Sequence, residues 1–427
     1  MINLEIPRKL GVLVTQSHQV AKEVLRANSR KYDRAEHEYP KELDMLAALI
    51  DGMNEGGGLG GAGAGGLGEG AAPDGPAAPG APGVPPAPAA PLASGAGVPG
   101  ANRNGANMAS LLGLIELCWG DVGLLLTMPR QGLGQAAIAA VGNEEQLERF
   151  GGKWAAMAIT EPGAGSDSAA IRTTARREGD EYVLNGEKIF VTSGDRAELI
   201  VVWATLDRDQ GRGAIKSFVV ERDNPGLKLD RLEHKLGIRA SDTANFVLED
   251  CRVPADSLLG TPEVQAKRGF AGVMQTFDNT RPLVAGMAIG VARACLERTR
   301  ELLAEAGIEI DYDAPPHAQR AAASDFIAME SDYESARLLT LQAAWMADNR
   351  KPNSLQASMA KAKAGRCGTD IALRCVALCG AVGYGESELL EKWARDAKIL
   401  DLFEGTQQIQ LLIVARLLLK RTSAQLK

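Results

Sequence analysis

The chain has 427 residues, and one 46-residue stretch, Glu55–Gly100, holds 16 of its 48 Gly and 9 of its 20 Pro. With 12 Ala added, 37 of those 46 residues are Gly, Ala or Pro, with neither a strict triplet repeat nor large apolar side chains, which excludes both collagen and a packed domain. The other 381 residues suffice for a sizeable core, and a net charge of −7 lacks the basic excess that nucleic-acid binding requires.

The first 20 residues show no uninterrupted apolar run ending in a small-residue cleavage site, and no uncharged run of about 18 apolar residues occurs. The expectation is a soluble, cytoplasmic protein with no membrane span. Six cysteines are too sparse for a disulfide framework and form no CxxC pair. Cys375 and Cys379 share a helical face, but the four histidines (His18, His37, His234, His317) are scattered, so the cysteines read as small buried hydrophobes and no metal site is expected.

In chain order, Glu42–Met53 places Leu43, Leu46, Leu49 and Ile50 on one helical side, and Met108–Leu126 resumes helical spacing with Leu111, Leu112, Ile115 and Leu117. The low-complexity tract at 55–100 therefore reads as a disordered insertion within an N-terminal helical domain, residues 1–150. From Ala155 short apolar runs alternate with turn residues: Ala155–Ile159, Glu181–Leu184, Lys188–Val191, Leu199–Ala204, Ser217–Val220 and Asn245–Leu248. They predict a β domain over 151–260, with Asn185-Gly186 as a hairpin turn. Beyond Pro262, Phe270–Ala306 (bounded or kinked at Pro282), Ala318–Asn349, Ser354–Leu378, Glu386–Leu402 and Thr406–Lys420 predict a helical bundle over 261–427.

Three motifs stand out. Thr160-Glu161-Pro162-Gly163-Ala164-Gly165-Ser166-Asp167 joins a strand to a glycine turn that offers hydroxyls and a close backbone approach to a flat or phosphorylated ligand. No Gly-Lys-Ser/Thr follows and no βαβ unit surrounds it, so it is neither a P-loop nor a dinucleotide fingerprint, and a plain turn stays open. In Asp401-Leu402-Phe403-Glu404-Gly405-Thr406-Gln407-Gln408-Ile409-Gln410, apolar neighbours would raise the Glu404 pKa toward that of a useful base; a helix-capping carboxylate is the alternative. Phe277-Asp278-Asn279-Thr280-Arg281-Pro282 offers either an Asp278–Arg281 ion pair or an anion clamp.

These motifs, in this order, together with Asn185–Gly194, Gly237–Thr243 and Arg395–Ile399, resemble the acyl-CoA dehydrogenase family over about residues 108–420. The resemblance implies a helical N-terminal domain, a β-barrel or sandwich middle domain, a C-terminal four-helix bundle, and FAD as cofactor. It implies that Glu404 removes the α-proton of an acyl-CoA thioester while the β-hydrogen leaves as hydride to the flavin, giving a trans-2-enoyl-CoA. Some members carry the base where Thr280 stands, and threonine cannot serve. Ile159, Thr160 and Thr192 match flavin-ring contacts, Gly165 and Ser166 the pyrophosphate contact, and Thr406 and Gln408 the adenosine side. Phe190 stands where a tryptophan is common beside the flavin. Asp278, Thr280, Arg281, Phe403 and Gly405 match the substrate side.

The same resemblance implies an electron-transfer flavoprotein as electron acceptor and a dimeric or tetrameric assembly. Two departures bear on that assembly. The Arg-x-x-Phe-Gly motif that reaches a neighbouring subunit's FAD is replaced by Glu305-Ala306-Gly307 to Asp311-Tyr312-Asp313, and a second cross-subunit contact by Ala377 and Gly380-Ala381. Both changes fall on the half-site lent to a partner, which suggests a hetero-oligomer with a second subunit of the same family; an ordinary homo-oligomer with altered FAD contacts is the alternative. An acyl-CoA oxidase of the same fold, and a non-catalytic flavoprotein relative that binds nucleic acid or a partner, remain as alternatives.

Overall fold

The computed structural model describes residues 6–47, 104–129, 133–264, 271–422 and 425, and of 271–279 the backbone alone. The Gly/Ala/Pro tract, the end of the Glu42–Met53 helix and the side chain of Asp278 lie outside the described residues. The chain opens with α1 (Gly11–Val20), a π-helical turn at Ala21–Arg26, α2 (Ala27–Arg34) and α3 (42–47). Next come α4 (Ala106–Gly120), α5 (Val122–Thr127), α6 (Leu133–Val141) and α7 (Glu144–Phe150). The single helix expected over Met108–Leu126 breaks at Asp121, whose extended backbone and carboxylate cap α5 by accepting the Leu124 N–H at 2.8 Å.

Among the described residues seven strands follow: β1 (Ala155–Ala158), β2 (Thr174–Glu178), β3 (Glu181–Thr192), β4 (Leu199–Thr205), β5 (Ile215–Glu221), β6 (Leu227–Leu232) and β7 (Thr243–Pro254). They form one mixed sheet, in the order β1-β4-β2-β3-β7-β6 with β5 on β4. Every residue of β4, Leu-Ile-Val-Val-Trp-Ala-Thr, is buried, as its continuous apolar run requires. One sheet face encloses Ile200, Val202, Phe218 and Phe246, and the other packs Leu199, Val201 and Val219 against Ile138 and Phe150 of α6 and α7.

The expected hairpin at Asn185-Gly186 does not form. β3 runs straight through it, and Gly186 sits at a register shift against β7, with φ +156° and a missing Cβ that would lie 2.7 Å from Thr173 Cα. A bulge uses the same Asn-Gly chemistry as a turn. The hairpin turns instead at Gly179-Asp180, where Gly179 has φ +63° and Glu178 pairs with Glu181. Sequence periodicity also passed over β2 and β6: β2 reads Thr-Ala-Arg-Arg-Glu, and four consecutive residues of β6 are exposed.

The C-terminal helices are α8 (Ala271–Glu305), α9 (Ala321–Asp348), α10 (Ser354–Tyr384), α11 (Leu390–Ala397) and α12 (Gln407–Leu419). α8 continues through Pro282 instead of ending there, its lost backbone bond offset by packing against α4 and α10. By length and mean hydropathy α10 could cross a membrane, but Ala357, Ala360, Ala364, Ile371 and Cys375 are buried in the bundle core. That core also takes in Leu111, Ile115, Ile238 and Ala240, so all three parts of the chain share it. The cysteines are free thiols, five buried and Cys379 half-buried, and burial pushes Cys375 up to about 12.

A buried charged cluster closes this junction. Lys392 Nζ of α11 reaches Asp121 and lies 2.6 Å from Asp396, while the Ile238 N–H donates to Asp396 at 2.5 Å. Ser29 donates to Asp121, and Arg395 grips Asp33 at 2.6 Å. Gly237 leaves room for the α11 backbone, since a Cβ there would come within 2.6 Å of Asp396 N. The Gly237–Thr243 and Arg395–Ile399 motifs are thus two halves of one docking contact.

Candidate active site

The Glu404 carboxylate lies in the turn between a 3-10 turn at Lys398–Asp401 and α12. Glu404 (φ +56°) and Gly405 (φ +90°) are both left-handed, a conformation that costs a non-glycine residue of the order of 1 kcal/mol and persists only when its surroundings enforce it. They do so from three sides. Gln410, fully buried, donates Nε2 to the Glu404 carbonyl at 3.2 Å and to the Gly405 carbonyl at 3.5 Å. Lys361 of α10, 1% exposed, donates Nζ to the Gly405 carbonyl at 2.7 Å. Thr406 caps α12 by accepting the Ile409 N–H at 3.3 Å, so Glu404 is relieved of the capping role. A Cβ on Gly405 would press on Gln410 Nε2, and the φ of +90° is strained for any side chain, so glycine is favoured there.

Freed from capping, Glu404 turns its carboxylate toward α8, where Thr280 Oγ1 donates to Oε2 at 2.9 Å. Desolvation raises the Glu404 pKa above the ordinary carboxylate range; the Thr280 hydrogen bond and the charges of Arg281 and Lys361 temper the rise. Burial pulls Lys361 down to about 8, against the pull of Asp401 and Glu404, so near neutrality it still supplies positive charge. Arg281 is buried, its Nη1 3.5 Å from Ser358 Oγ of α10. Thr280, Arg281, Phe403, Glu404 and Gly405 thus come together, with Phe403 packed on the bundle core.

A second group forms where β1 meets β3. The Ile189 N–H donates to the Thr160 carbonyl at 2.9 Å, and the buried Lys188 donates to the Ile159 carbonyl at 3.2 Å and to Glu161 at 2.7 Å. Glu161 also accepts the Arg172 N–H at 2.6 Å and the Thr173 N–H and hydroxyl at 3.0 and 2.6 Å. This network fixes Thr160 and launches the glycine turn. In that turn Gly163 and Gly165 have no positive φ, and a Cβ on either meets nothing within 4 Å. Neither backbone strain nor packing demands glycine there, whereas approach of a ligand to the bare backbone would. Ser166 is exposed beside them.

Phe190 is 58% exposed with φ +59°, its N–H held by Asn245 Oδ1 at 3.1 Å, and Thr192 lies two residues on along β3. An exposed aromatic in a strained, tethered conformation, a bare glycine turn and the Ile159–Thr160 strand end are a fitting surface for a flat ring joined to a pyrophosphate. Gln408, on the first turn of α12, is exposed.

Lys361 and Gln410 escaped sequence reasoning. Lys361 carried a usable signal: it shares a helical face with Ala357, Ala364 and Gly365, and a lone charge on such a face needs a partner. Glu161 and Lys188 carried none, because their pairing depends on how β1 and β3 adjoin.

Residues 156–251 match the family profile for the acyl-CoA dehydrogenase middle domain, and residues 267–419 that for the C-terminal domain. The mitochondrial short-chain specific acyl-CoA dehydrogenase of Bos taurus is 40% identical over 289 residues, 66% of this chain and 68% of that protein. Butyryl-CoA dehydrogenase of Megasphaera elsdenii superimposes with a TM-score of 0.78 at 28% identity, over 98% of this chain and 100% of that one. A glutaryl-CoA dehydrogenase of Mycobacterium smegmatis, solved in complex with FADH2, shares the fold at 23% identity and a TM-score of 0.75, over 98% and 96% of the two chains.

Proposed function

The chain belongs to the acyl-CoA dehydrogenase family of FAD-dependent oxidoreductases, and from that premise we propose that it converts a short straight-chain acyl-CoA to the trans-2-enoyl-CoA with Glu404 as the base. The observation that carries this reading is the Glu404 turn: a carboxylate of raised pKa held in a left-handed conformation by three buried or capping partners. The short-chain preference rests on the substrates named for the bovine and Megasphaera relatives. Ile159, Thr160, Gly165, Ser166, Phe190 and Thr192 would hold FAD, with Thr406 and Gln408 on its adenosine side, and FAD when bound would supply the acceptor for the β-hydride.

The chain's own residues do the rest. Glu404 takes the α-proton onto its carboxylate, and its raised pKa gives that transfer driving force. With the Glu404 and Gly405 carbonyls tied back, the Glu404 N–H is offered to the thioester oxygen, where negative charge develops. Arg281 would line the approach of the CoA moiety. The electrons leave to an electron-transfer flavoprotein.

Lys361 positions the turn and lowers the Glu404 pKa by its charge. Lys361→Met is expected to reduce kcat about 10- to 100-fold and to move the acidic limb of the pH–rate profile to higher pH, because an ionised Glu404 then lacks a cation. Rate profiles of both proteins with an artificial electron acceptor between about pH 5 and 9 check this. An acidic limb that stays in place would reduce Lys361 to packing.

The partner-facing segments bear on assembly. Tyr312, standing near the departed Arg-x-x-Phe-Gly motif, bonds Glu330 at 2.6 Å and Arg300 at 2.5 Å within its own chain, and α10 breaks at Gly380 with φ +56°. Leu373, Val382, Tyr384, Leu412, Leu418 and Leu419 are exposed on α10 and α12, an apolar surface suited to a neighbouring subunit. We expect the chain expressed alone to purify with well under one FAD per chain, and co-expression with a related subunit to restore it. A homo-oligomer holding one tight FAD per chain would overturn the hetero-oligomer.

A further inference from the structure

Glu36 and His37 follow α2, and His234 lies between β6 and β7, 198 residues beyond Glu36. Sequence spacing left these histidines scattered; the fold brings them together, each offering a ligand atom within 4.8 Å of the others, Glu36 included. His234 Nδ1 is 2.9 Å from Glu36 Oε2, His37 Nε2 is 4.0 Å from Glu36 Oε1, and the two imidazoles meet edge to face with centroids 4.8 Å apart. The Lys235 N–H donates to Glu36 Oε1 at 2.9 Å and so orients the carboxylate from behind, as an outer-shell partner does around a bound ion.

His37 is the independent indication. Both of its ring nitrogens are buried and lack a hydrogen-bond partner among the described residues, and its backbone is left-handed at φ +71°. A half-buried imidazole whose two nitrogens are both shielded from water with neither satisfied among the described residues is unfavourable, and a left-handed histidine adds strain, so both costs call for a compensating interaction at the ring.

We propose that Glu36, His37 and His234 bind a divalent transition-metal ion of the Zn2+ class, clipping the N-terminal helices to the β sheet. Two imidazoles and one carboxylate favour zinc over the oxygen-seeking Mg2+ and Ca2+. Ligand bonds of about 2.0–2.1 Å place neighbouring donors roughly 3.3 Å apart, so the Glu36–His234 pair is nearly set and His37 closes by a small side-chain rotation. His234 is 84% exposed, so the site is open to solvent and the fourth position falls to water.

The test uses the full-length flavin-loaded protein, co-expressed with a related subunit where flavin loading requires it, stripped with EDTA, incubated with zinc sulfate and desalted, with metal counted by plasma mass spectrometry and thermal stability measured in parallel. His37→Asn keeps a residue that tolerates left-handed backbone, and His234→Gln alters an exposed side chain, so both variants should retain normal flavin content. The expected result is about one zinc per wild-type chain with a raised Tm, and at least tenfold weaker zinc binding with no Tm response in either variant. No retained zinc in the wild type, or equal retention in the double variant, would overturn the site and leave an ordinary Glu36–His234 hydrogen bond.

Discussion

Glu404→Gln is expected to lower kcat for enoyl-CoA formation by about 100- to 10,000-fold, the range spanned by a positioned general base, while flavin content and thermal stability stay near wild type. Glutamine keeps the volume and can still accept the Thr280 hydrogen bond through its amide oxygen, so the Thr280 contact and the left-handed turn persist. What disappears is the proton acceptor. Stopped-flow flavin reduction separates the chemical step from product release, and a residual rate within tenfold of wild type would mean that another group takes the α-proton. With Glu404 as the proposed base its ionised form is needed, so the wild-type rate should fall as pH drops through a pKa lying above the ordinary carboxylate value.

Lys392→Met should be the most destabilising single change, by about 3–5 kcal/mol, because it strands Asp121 and Asp396 without their shared cation in the bundle core. In the native protein burial pulls Lys392 down, but the two carboxylates outweigh it and push its pKa up, so Lys392 is charged. Asp396 is itself pushed up, because burial outweighs one cation divided between two acids. A lysine raised above its unfolded value contributes stability fully present below the ordinary lysine pKa and lost as pH rises through the folded value. In Lys392→Met the stranded Asp396, already pushed up by burial, prefers to be protonated, so the deficit should be smaller near about pH 5 than near about pH 8. Urea denaturation at both pH values checks this. A pH-independent deficit would point to lost packing instead.

The two charged cores differ in what the sequence discloses about them. Glu404 was legible because its neighbours Leu402, Phe403 and Gly405 announce a desolvated carboxyl in a turn, and because the surrounding motif resembles a known family. Lys361 and Gln410, which hold that turn, come from a helix 43 residues upstream and from the following helix, and only tertiary packing reveals that they meet it. Gln410 even lay inside the quoted motif without a role. The long helices of the bundle were legible because their apolar period is sustained over many turns, and Pro282 makes no boundary because a single missing backbone bond is a small loss beside the packing of a 35-residue helix. In the sheet, Asn185-Gly186 carried the strongest hairpin chemistry yet serves a bulge, since the partner of β3 at that point is the distant β7 as well as β2. Long-range pairing decided what local chemistry could not.

The central claim is that this chain's Glu404 turn and FAD-binding surface together dehydrogenate a short acyl-CoA thioester. The direct measurement is an anaerobic titration of the flavin-loaded protein, with its partner subunit if one is required, against butyryl-CoA, following flavin absorbance and product by mass spectrometry. The predicted result is loss of oxidised-flavin absorbance with crotonyl-CoA, the four-carbon trans-2-enoyl product lacking two hydrogens, formed in step with it. An oxidised flavin that stays unchanged by butyryl-CoA and by longer or branched acyl-CoA thioesters alike would contradict the account.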